Sequence, residues 1–267
     1  MRLTQKLIKL KNIISWHDSC LIAFSGGVDS AFLLKVAREV LPKEKILAVT
    51  ANSPTYPKEE LAFAKKIAKC LDARHKVIST DEFKNKEFIL NPVNRCYFCK
   101  KELFERLKKI AGKEKMNVVL DASNVSDKKD FRPGNKAKQE FKVRSPLAEA
   151  GFTKEDIREL SKKMGLANWD KPSLACLASR IPYGTKITRQ ILQRINLGEL
   201  HLRKIGFKQV RLRHYNGLCR IEVPRENISL LLAKRNQVID KLKKLGYNYI
   251  TVDLEGYRTG SLNEVIK

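Results

Sequence analysis

Leu21-Ile22-Ala23-Phe24-Ser25-Gly26-Gly27-Val28-Asp29-Ser30-Ala31-Phe32-Leu33-Leu34 is the stretch around which the rest of the chain can be arranged. Four apolar residues, a glycine turn and then apolar residues at helical spacing read as a buried strand feeding a helix N-terminus. Such a junction suits an anion. Gly26 and Gly27 allow positive φ and close approach, and free backbone N–H groups and the helix dipole favour phosphate. Ser25 and Ser30 add hydroxyl donors, and Asp29 stands where a carboxylate can cap the helix or hold a metal that bridges phosphates. A Gly-Gly pair alone would be an ordinary tight turn; the whole string after a buried strand is more than that.

The string is neither a Walker A loop nor Gly-x-Gly-x-x-Gly. It resembles the PP-loop of the N-type ATP pyrophosphatases, which split ATP into AMP and pyrophosphate. That resemblance implies adenylation, in which AMP is attached to a substrate oxygen to make it a leaving group.

Outward from the loop, strands and helices alternate. Leu3, Leu7, Leu10, Ile13 and Ile14 space like an amphipathic helix, Lys45 to Ala51 reads as a strand, and Pro57 to Leu71 as a helix. Arg74 to Ser79 is a third strand, Lys100 to Ile110 a helix, Asn117 to Asp121 a fourth strand, and Thr153 to Met164 a helix with a capping-box start. The expected fold is α/β, an open, mostly parallel sheet. Ligands of such sheets lie beyond the carboxyl ends of the strands, where the Ser-Gly-Gly loop and Asp121 both fall. From Ile187 the pattern changes: two alternating strands flank Asn216-Gly217, a hairpin signal, followed by a helix over Ile228 to Leu245 and a strand over Tyr247 to Leu254. The chain therefore divides into a nucleotide domain over 1–170, a cysteine-bearing linker over 171–186 and a smaller C-terminal α+β domain over 187–267.

A length of 267 residues, 43% hydrophobic and 31% charged, suits a soluble protein with one large and one small core. No apolar stretch approaches a membrane span and the first residues lack a signal-peptide core, so a cytoplasmic enzyme without membrane contact is expected. Six cysteines in this setting read as thiols, ligands or catalytic groups rather than a disulfide frame. Fifty-four Lys and Arg against 29 Asp and Glu leave a net charge of +25, which suits RNA, a small phosphorylated substrate, or simply solvated lysine faces. No aromatic-basic platform accompanies the charge, so nucleic acid is not the expected partner, although the charge leaves it open.

Two further segments carry chemistry. The polar run from Asp121 to Asp127, with Asp130-Phe131-Arg132-Pro133-Gly134 after it, sits at a strand end; Asp121 and Asn124 can contact nucleotide or metal, and Arg132 offers a planar fork to phosphate. Cys176 lies in a Pro- and Gly-bounded loop with Lys171 and Arg180 nearby, conditions that favour a reactive thiol, whereas Cys20, Cys70 and Cys219 sit in apolar surroundings.

Ser25 to Ser30, Asp121 to Asn124, Asp130 to Gly134, Ser145 to Leu147, and above all Trp169-Asp-Lys-Pro followed by Cys176-Leu-Ala-Ser-Arg-Ile-Pro-Tyr-Gly, resemble the LarE family over most of the chain. One departure is Ala122-Ser123, where many relatives have Gly-Thr. The resemblance implies an ATP- and Mg-dependent sulfur transferase, assembled as a homo-oligomer, acting on a nucleotide substrate, pyridinium-3,5-biscarboxylic acid mononucleotide. It adenylates each carboxylate and replaces AMP by sulfur, toward the nickel-pincer cofactor of lactate racemase. By the same resemblance Ser25, Gly26, Gly27, Asp29 and Ser30 bind ATP and its metal, Cys176 delivers sulfur, the paired Arg211 and Arg213 hold a phosphate of the substrate, and Arg180 is a further substrate residue. Glu199 and Glu222 hold a cation in some relatives.

The sulfur source divides the family. Some members sacrifice the cysteine matching Cys176; others bind a 4Fe-4S cluster through three cysteines and pass on sulfide from a donor that the sequence does not identify. Cys96 and Cys99 form a C-x-x-C motif that with Cys176 makes three candidates, and three thiolates would leave one iron open. A redox pair, half a zinc site and two ordinary thiols are the other readings of the motif. Arg211 and Arg213 share a strand face by alternation, which can equally be a solvated basic face. The rival functions are a PP-loop tRNA thiolase and a catalytically silent ATP-binding module.

Overall fold

The computed structural model describes residues 2–129, 133–172 and 175–266. The chain forms two compact units, Met1–Asn85 with Asn94–Leu174, and Lys86–Val93 with Ala175–Lys267.

In chain order the first unit begins with α1 (Leu3–Ser15), β1 (Cys20–Ala23), α2 (Val28–Val40), β2 (Ile46–Asn52), α3 (Lys58–Cys70) and β3 (Arg74–Ser79). The short α4 (Lys86–Ile89) belongs to the second unit; the first resumes with α5 (Arg95–Lys113), β4 (Val118–Leu120), α6 (Gly134–Glu140), α7 (Pro146–Glu149) and α8 (Lys154–Lys163). The four strands make a wholly parallel sheet in the order β3-β2-β1-β4. Its central strands are mostly apolar, Cys20–Ala23 throughout and Ile46–Val49 of β2, because both faces are covered. Cys20, Ile22, Ile46, Ala48, Val118 and Leu120 share a core with residues of α1, α2, α3 and α8; Leu21, Leu47, Val49 and Val119 pack with Phe104, Leu107 and Ala111 of α5.

The second unit continues with α9 (Arg189–Lys204), the hairpin β5 (Arg211–Tyr215) and β6 (Leu218–Glu222), α10 (Ile228–Ala233), α11 (Arg235–Lys244) and β7 (Tyr249–Val252), with β7 parallel to β6. The hairpin turns at Asn216, whose φ of 52° is the left-handed value that its short polar side chain tolerates. The single helix expected over Ile228 to Leu245 is broken at Lys234, where ψ reaches 14° and the ammonium reaches the Ile205 carbonyl. Lys86–Val93 joins this unit because Asn91, fully buried, donates to the Pro182 and Thr185 carbonyls at 2.7 and 3.0 Å and accepts from the Gly184 N–H. Among the described residues no helix is long and apolar enough to cross a membrane.

Candidate active site

The loop after β1 is built from its own side chains. Ser30, buried in the first turn of α2, donates through its Oγ to the Gly27 carbonyl at 3.1 Å and accepts from the Ser25 N–H at 3.3 Å, while the Ser25 and Ser30 hydroxyls lie 3.2 Å apart. Gly27 is the N-cap and brings no side chain to the helix end, leaving that end to accept an anion. Gly26 has φ +73°, and a Cβ there would stand 2.7 Å from the Ala64 Cα of α3, so only glycine fits.

Asp29 follows in the first turn of α2. Lys154 Nζ donates to its Oδ2 at 2.5 Å, and its Oδ1 is buried with no hydrogen-bond partner among the described residues. Burial holds the Asp29 carboxyl above its ordinary range and Asp127 adds to this, against the opposing charge of Lys154. Lys154 opens α8, whose start is fixed by the Thr153–Asp156 capping box and by Lys6, 2.5 Å from Asp156. The Lys154 N–H donates to the Ser126 hydroxyl, and the Ser126 N–H to Asn124 Oδ1 at 2.9 Å, so the Asn124–Ser126 turn is tied to the start of α8.

Asp121, at the end of β4, has both carboxylate oxygens occupied: Oδ1 accepts from the Ser123 N–H and the Ser145 hydroxyl, and Oδ2 from the Ser123 hydroxyl with Lys138 3.5 Å away. Those bonds shape the polar loop. Arg132, with Asp130 and Phe131, lies outside the described residues.

Cys96 and Cys99 stand in the first turns of α5, one helical turn apart, because the helix begins at Arg95 and not at Lys100 as the apolar spacing suggests. Neither forms a disulfide; Cys96 is exposed and Cys99 half-buried. Cys99 Sγ lies 3.8 Å from Glu82, a buried carboxylate that also accepts from the Ser53 hydroxyl at 2.8 and 2.9 Å. Two thiols on one helical face suit an edge of an iron-sulfur cluster; among the described residues no three His, Cys, Asp or Glu side chains are gathered for a metal ion.

In the second unit Cys176 is half-buried and free at the start of a tight turn, Leu177–Arg180. Its carbonyl accepts from the Ser179 N–H, the Ser179 hydroxyl and Arg180 Nη1 at 3.0, 2.8 and 3.1 Å. Arg180 is 1% exposed and pairs bidentately with Glu199 at 2.8 and 3.0 Å. Burial would raise the Glu199 carboxyl, but the charge and hydrogen bonds of Arg180, then Arg211, hold it below its ordinary range. Arg213 pairs in the same way with Glu222 and donates to the Ser179 carbonyl at 2.6 Å. Arg211 stacks 5.2 Å over Tyr257, and burial, then repulsion from Arg180, pulls its guanidinium down to about 10. The arginines are buried, not a solvated face, and Arg180 and Arg213 direct their donors at Glu199, Glu222 and the oxygens of the turn. Glu199 and Glu222 serve as their counter-ions.

Sequence reasoning missed Lys154, Glu82 and Asn168. Asn168 donates to the Gly26 carbonyl at 3.0 Å, and its only trace in the sequence is its place before Trp169-Asp-Lys-Pro.

Comparison with known proteins agrees with this layout. The profile of queuosine biosynthesis protein QueC matches residues 19–89. Across almost the whole chain there is similarity to an uncharacterized protein of Synechocystis, 42% identical over 99% of both chains. The pyridinium-3,5-bisthiocarboxylic acid mononucleotide synthase of Lactiplantibacillus plantarum is 38% identical over 92% of this chain and 89% of its own. An uncharacterized protein of Methanocaldococcus jannaschii is 33% identical over 96% and 98%. Among solved structures, NMN synthetase from Francisella tularensis superposes with a TM-score of 0.52 at 18% identity, covering 65% of this chain and 76% of that one, a likeness of fold.

Proposed function

The chain belongs to the LarE family of ATP-dependent enzymes, the family of the pyridinium-3,5-bisthiocarboxylic acid mononucleotide synthase it matches at 38% identity, and from that premise we propose that it converts the two carboxylates of pyridinium-3,5-biscarboxylic acid mononucleotide to thiocarboxylates. The observation that carries the proposal is the loop Ser25–Ser30: an uncapped helix end, two hydroxyls and a carboxylate with one orphaned oxygen, at the carboxyl end of a parallel strand.

A carboxylate is a poor acyl donor until its oxygen joins a good leaving group. One substrate carboxylate oxygen attacks the α-phosphorus of ATP, the bond from that phosphorus to the bridging oxygen breaks, and pyrophosphate leaves with the electron pair. Ser25, Gly26, Gly27 and Ser30 hold the phosphates, and the free Oδ1 of Asp29 fits a Mg ion, which when bound offsets the charge on pyrophosphate. Hydrosulfide attacking the acyl carbon breaks the C–O bond to AMP and gives the thiocarboxylate directly. The Cys176 thiolate attacking in its place gives a thioester and AMP, and loss of the Cys176 Cα proton with cleavage of its Cβ–S bond then frees the thiocarboxylate and leaves dehydroalanine. A second round treats the other carboxylate. Arg211 is assigned to the substrate phosphate, while Arg180 and Arg213, their donors spent on Glu199, Glu222 and backbone carbonyls, fasten the turn that presents Cys176.

Cys96, Cys99 and Cys176 would hold a 4Fe-4S cluster, which when bound supplies an iron open to hydrosulfide. The spacing of Cys96 and Cys99, one turn apart on α5 and outside any disulfide, supports that donor set.

The test is substrate-dependent pyrophosphate release. The pyridinium mononucleotide is expected to stimulate it and tRNA is not. Stimulation by tRNA alone would reject the proposal in favour of a thiolase, and ATP binding without pyrophosphate from either substrate would make the chain a binding module.

A further inference from the structure

We propose that Asn168 is a positioning residue for ATP, fixing the direction in which the phosphate loop presents the Gly27 N–H; this rests on the loop being the phosphate site. Asn168 is 1% exposed, and its Nδ2 donates to the Gly26 carbonyl at 3.0 Å. That carbonyl and the Gly27 N–H belong to one planar trans peptide and point in opposite directions. Whatever holds the carbonyl therefore aims the N–H. At present the N–H faces the Ser25 hydroxyl at 3.3 Å, a long contact that a phosphate oxygen can replace.

The anchor is itself rigid. Arg158 of α8 donates to the Lys171 carbonyl at 2.9 Å and to the Trp169 carbonyl at 3.4 Å, and Lys162 lies 4.8 Å over the Trp169 ring. Lys171 pairs with Glu60 at 2.8 Å and stands 3.6 Å from the centre of the Phe63 ring, both on α3. Ala64 of the same helix presses on Gly26 from its Cα side. The Gly26–Gly27 peptide is thus clamped between α3 and Asn168, with no slack for the carbonyl to turn.

The amide also carries a cost that a purely structural residue would avoid. Its Oδ1 is buried with no hydrogen-bond partner among the described residues. An apolar side chain would fill the place without an orphaned acceptor, so the retained donor is what the site uses. Lys171 and Glu60 hold the segment whichever residue stands at 168.

The experiment measures binding of α,β-methylene-ATP with Mg by calorimetry, and the KM and kcat of pyrophosphate release, for wild type, Asn168→Ala and Asn168→Asp, with melting curves on each. Loss of one aimed hydrogen bond is expected to weaken the analogue about 10-fold in Asn168→Ala. KM for ATP should rise in parallel, by more than kcat falls. Asn168→Asp, one atom different, should weaken binding further at alkaline pH, where its ionised carboxylate cannot donate and adds negative charge behind the phosphates. It carries the test if Asn168→Ala does not fold. Analogue affinity within 2-fold of wild type in a folded variant, with only the melting temperature lowered, would overturn the proposal. A wild type that binds the analogue but forms no pyrophosphate would sink the proposed function and leave this inference measurable.

Discussion

Lys154 Nζ lies 2.5 Å from Asp29 Oδ2 across 125 residues of chain, while the other Asp29 oxygen is buried and unpaired among the described residues. Half of this carboxylate is neutralised by the protein and half is left for something else. Lys154→Met removes the opposing charge from a carboxyl that burial already pushes up, and so favours its neutral form, which is useless to a cation. Pyrophosphate release should fall roughly 10–100-fold in kcat/KM, and Lys154→Arg should recover part of it. Equal rates for Lys154→Met and wild type would show that Asp29 does not act as a charged group.

Gly26→Ala tests the loop itself. A methyl group there meets Ala64 backbone at 2.7 Å and must also adopt φ +73°. Strain and overpacking together predict a loss of about 2–4 kcal/mol in urea unfolding, with ATP binding lost in whatever folds. Gly151, also at positive φ but with open space around it, should tolerate alanine at the smaller cost of strain alone.

Much of this was legible in the sequence, for identifiable reasons. The inner strands of the parallel sheet announce themselves because both faces are covered and the residues must be largely apolar, as in Cys20–Ala23, whereas the edge strand Arg74–Ser79 carries polar residues. The phosphate loop is legible because its geometry demands glycines. What could not be read are partners distant in sequence: nothing at Lys154 or Asn168 points to Asp29 or Gly26, since a lysine at a helix start and an asparagine in a turn have ordinary local uses. The break at Lys234 was equally hidden, because the apolar spacing runs through it.

Acid should loosen the fold from pH 6.5 downward. His75 Nε2 sits 2.8 Å from the Thr50 hydroxyl, which itself donates to the Phe24 carbonyl, and His214 Nδ1 is 3.2 Å from the Tyr247 hydroxyl. Burial lowers both imidazoles below 6.5, with Lys65 and Arg194 adding to it. Both are therefore neutral in the fold where the unfolded chain already binds protons. The stability they contribute is complete above 6.5 and is lost as pH falls through their folded values. Melting temperature should drop across that window, less steeply in His75→Gln; a flat profile in wild type would contradict the burial argument.

Iron and acid-labile sulfide in protein prepared without oxygen decide the sulfur source. If Cys96, Cys99 and Cys176 hold a cluster, wild type contains four-iron clusters and Cys96→Ala loses them. If neither contains iron, Cys176 is the sacrificed donor, and the mass of the chain after one turnover should fall by that of hydrogen sulfide as dehydroalanine forms.

The Arg180–Glu199 pair separates stability from chemistry. Both side chains are almost wholly buried, and Glu199 also accepts from Arg203 and the Leu212 N–H. Glu199→Gln leaves the Arg180 charge buried without its counter-ion, at a cost of about 3–5 kcal/mol. Replacing both, Arg180→Met with Glu199→Leu, removes the stranded charge and should recover most of the loss in urea unfolding. Activity should not return with it. Arg180 also donates to the Ala175 and Cys176 carbonyls at 2.7 and 3.1 Å, and methionine cannot hold the turn that carries the thiol. A stable double variant that forms thiocarboxylate at the wild-type rate would show that Arg180 only balances Glu199.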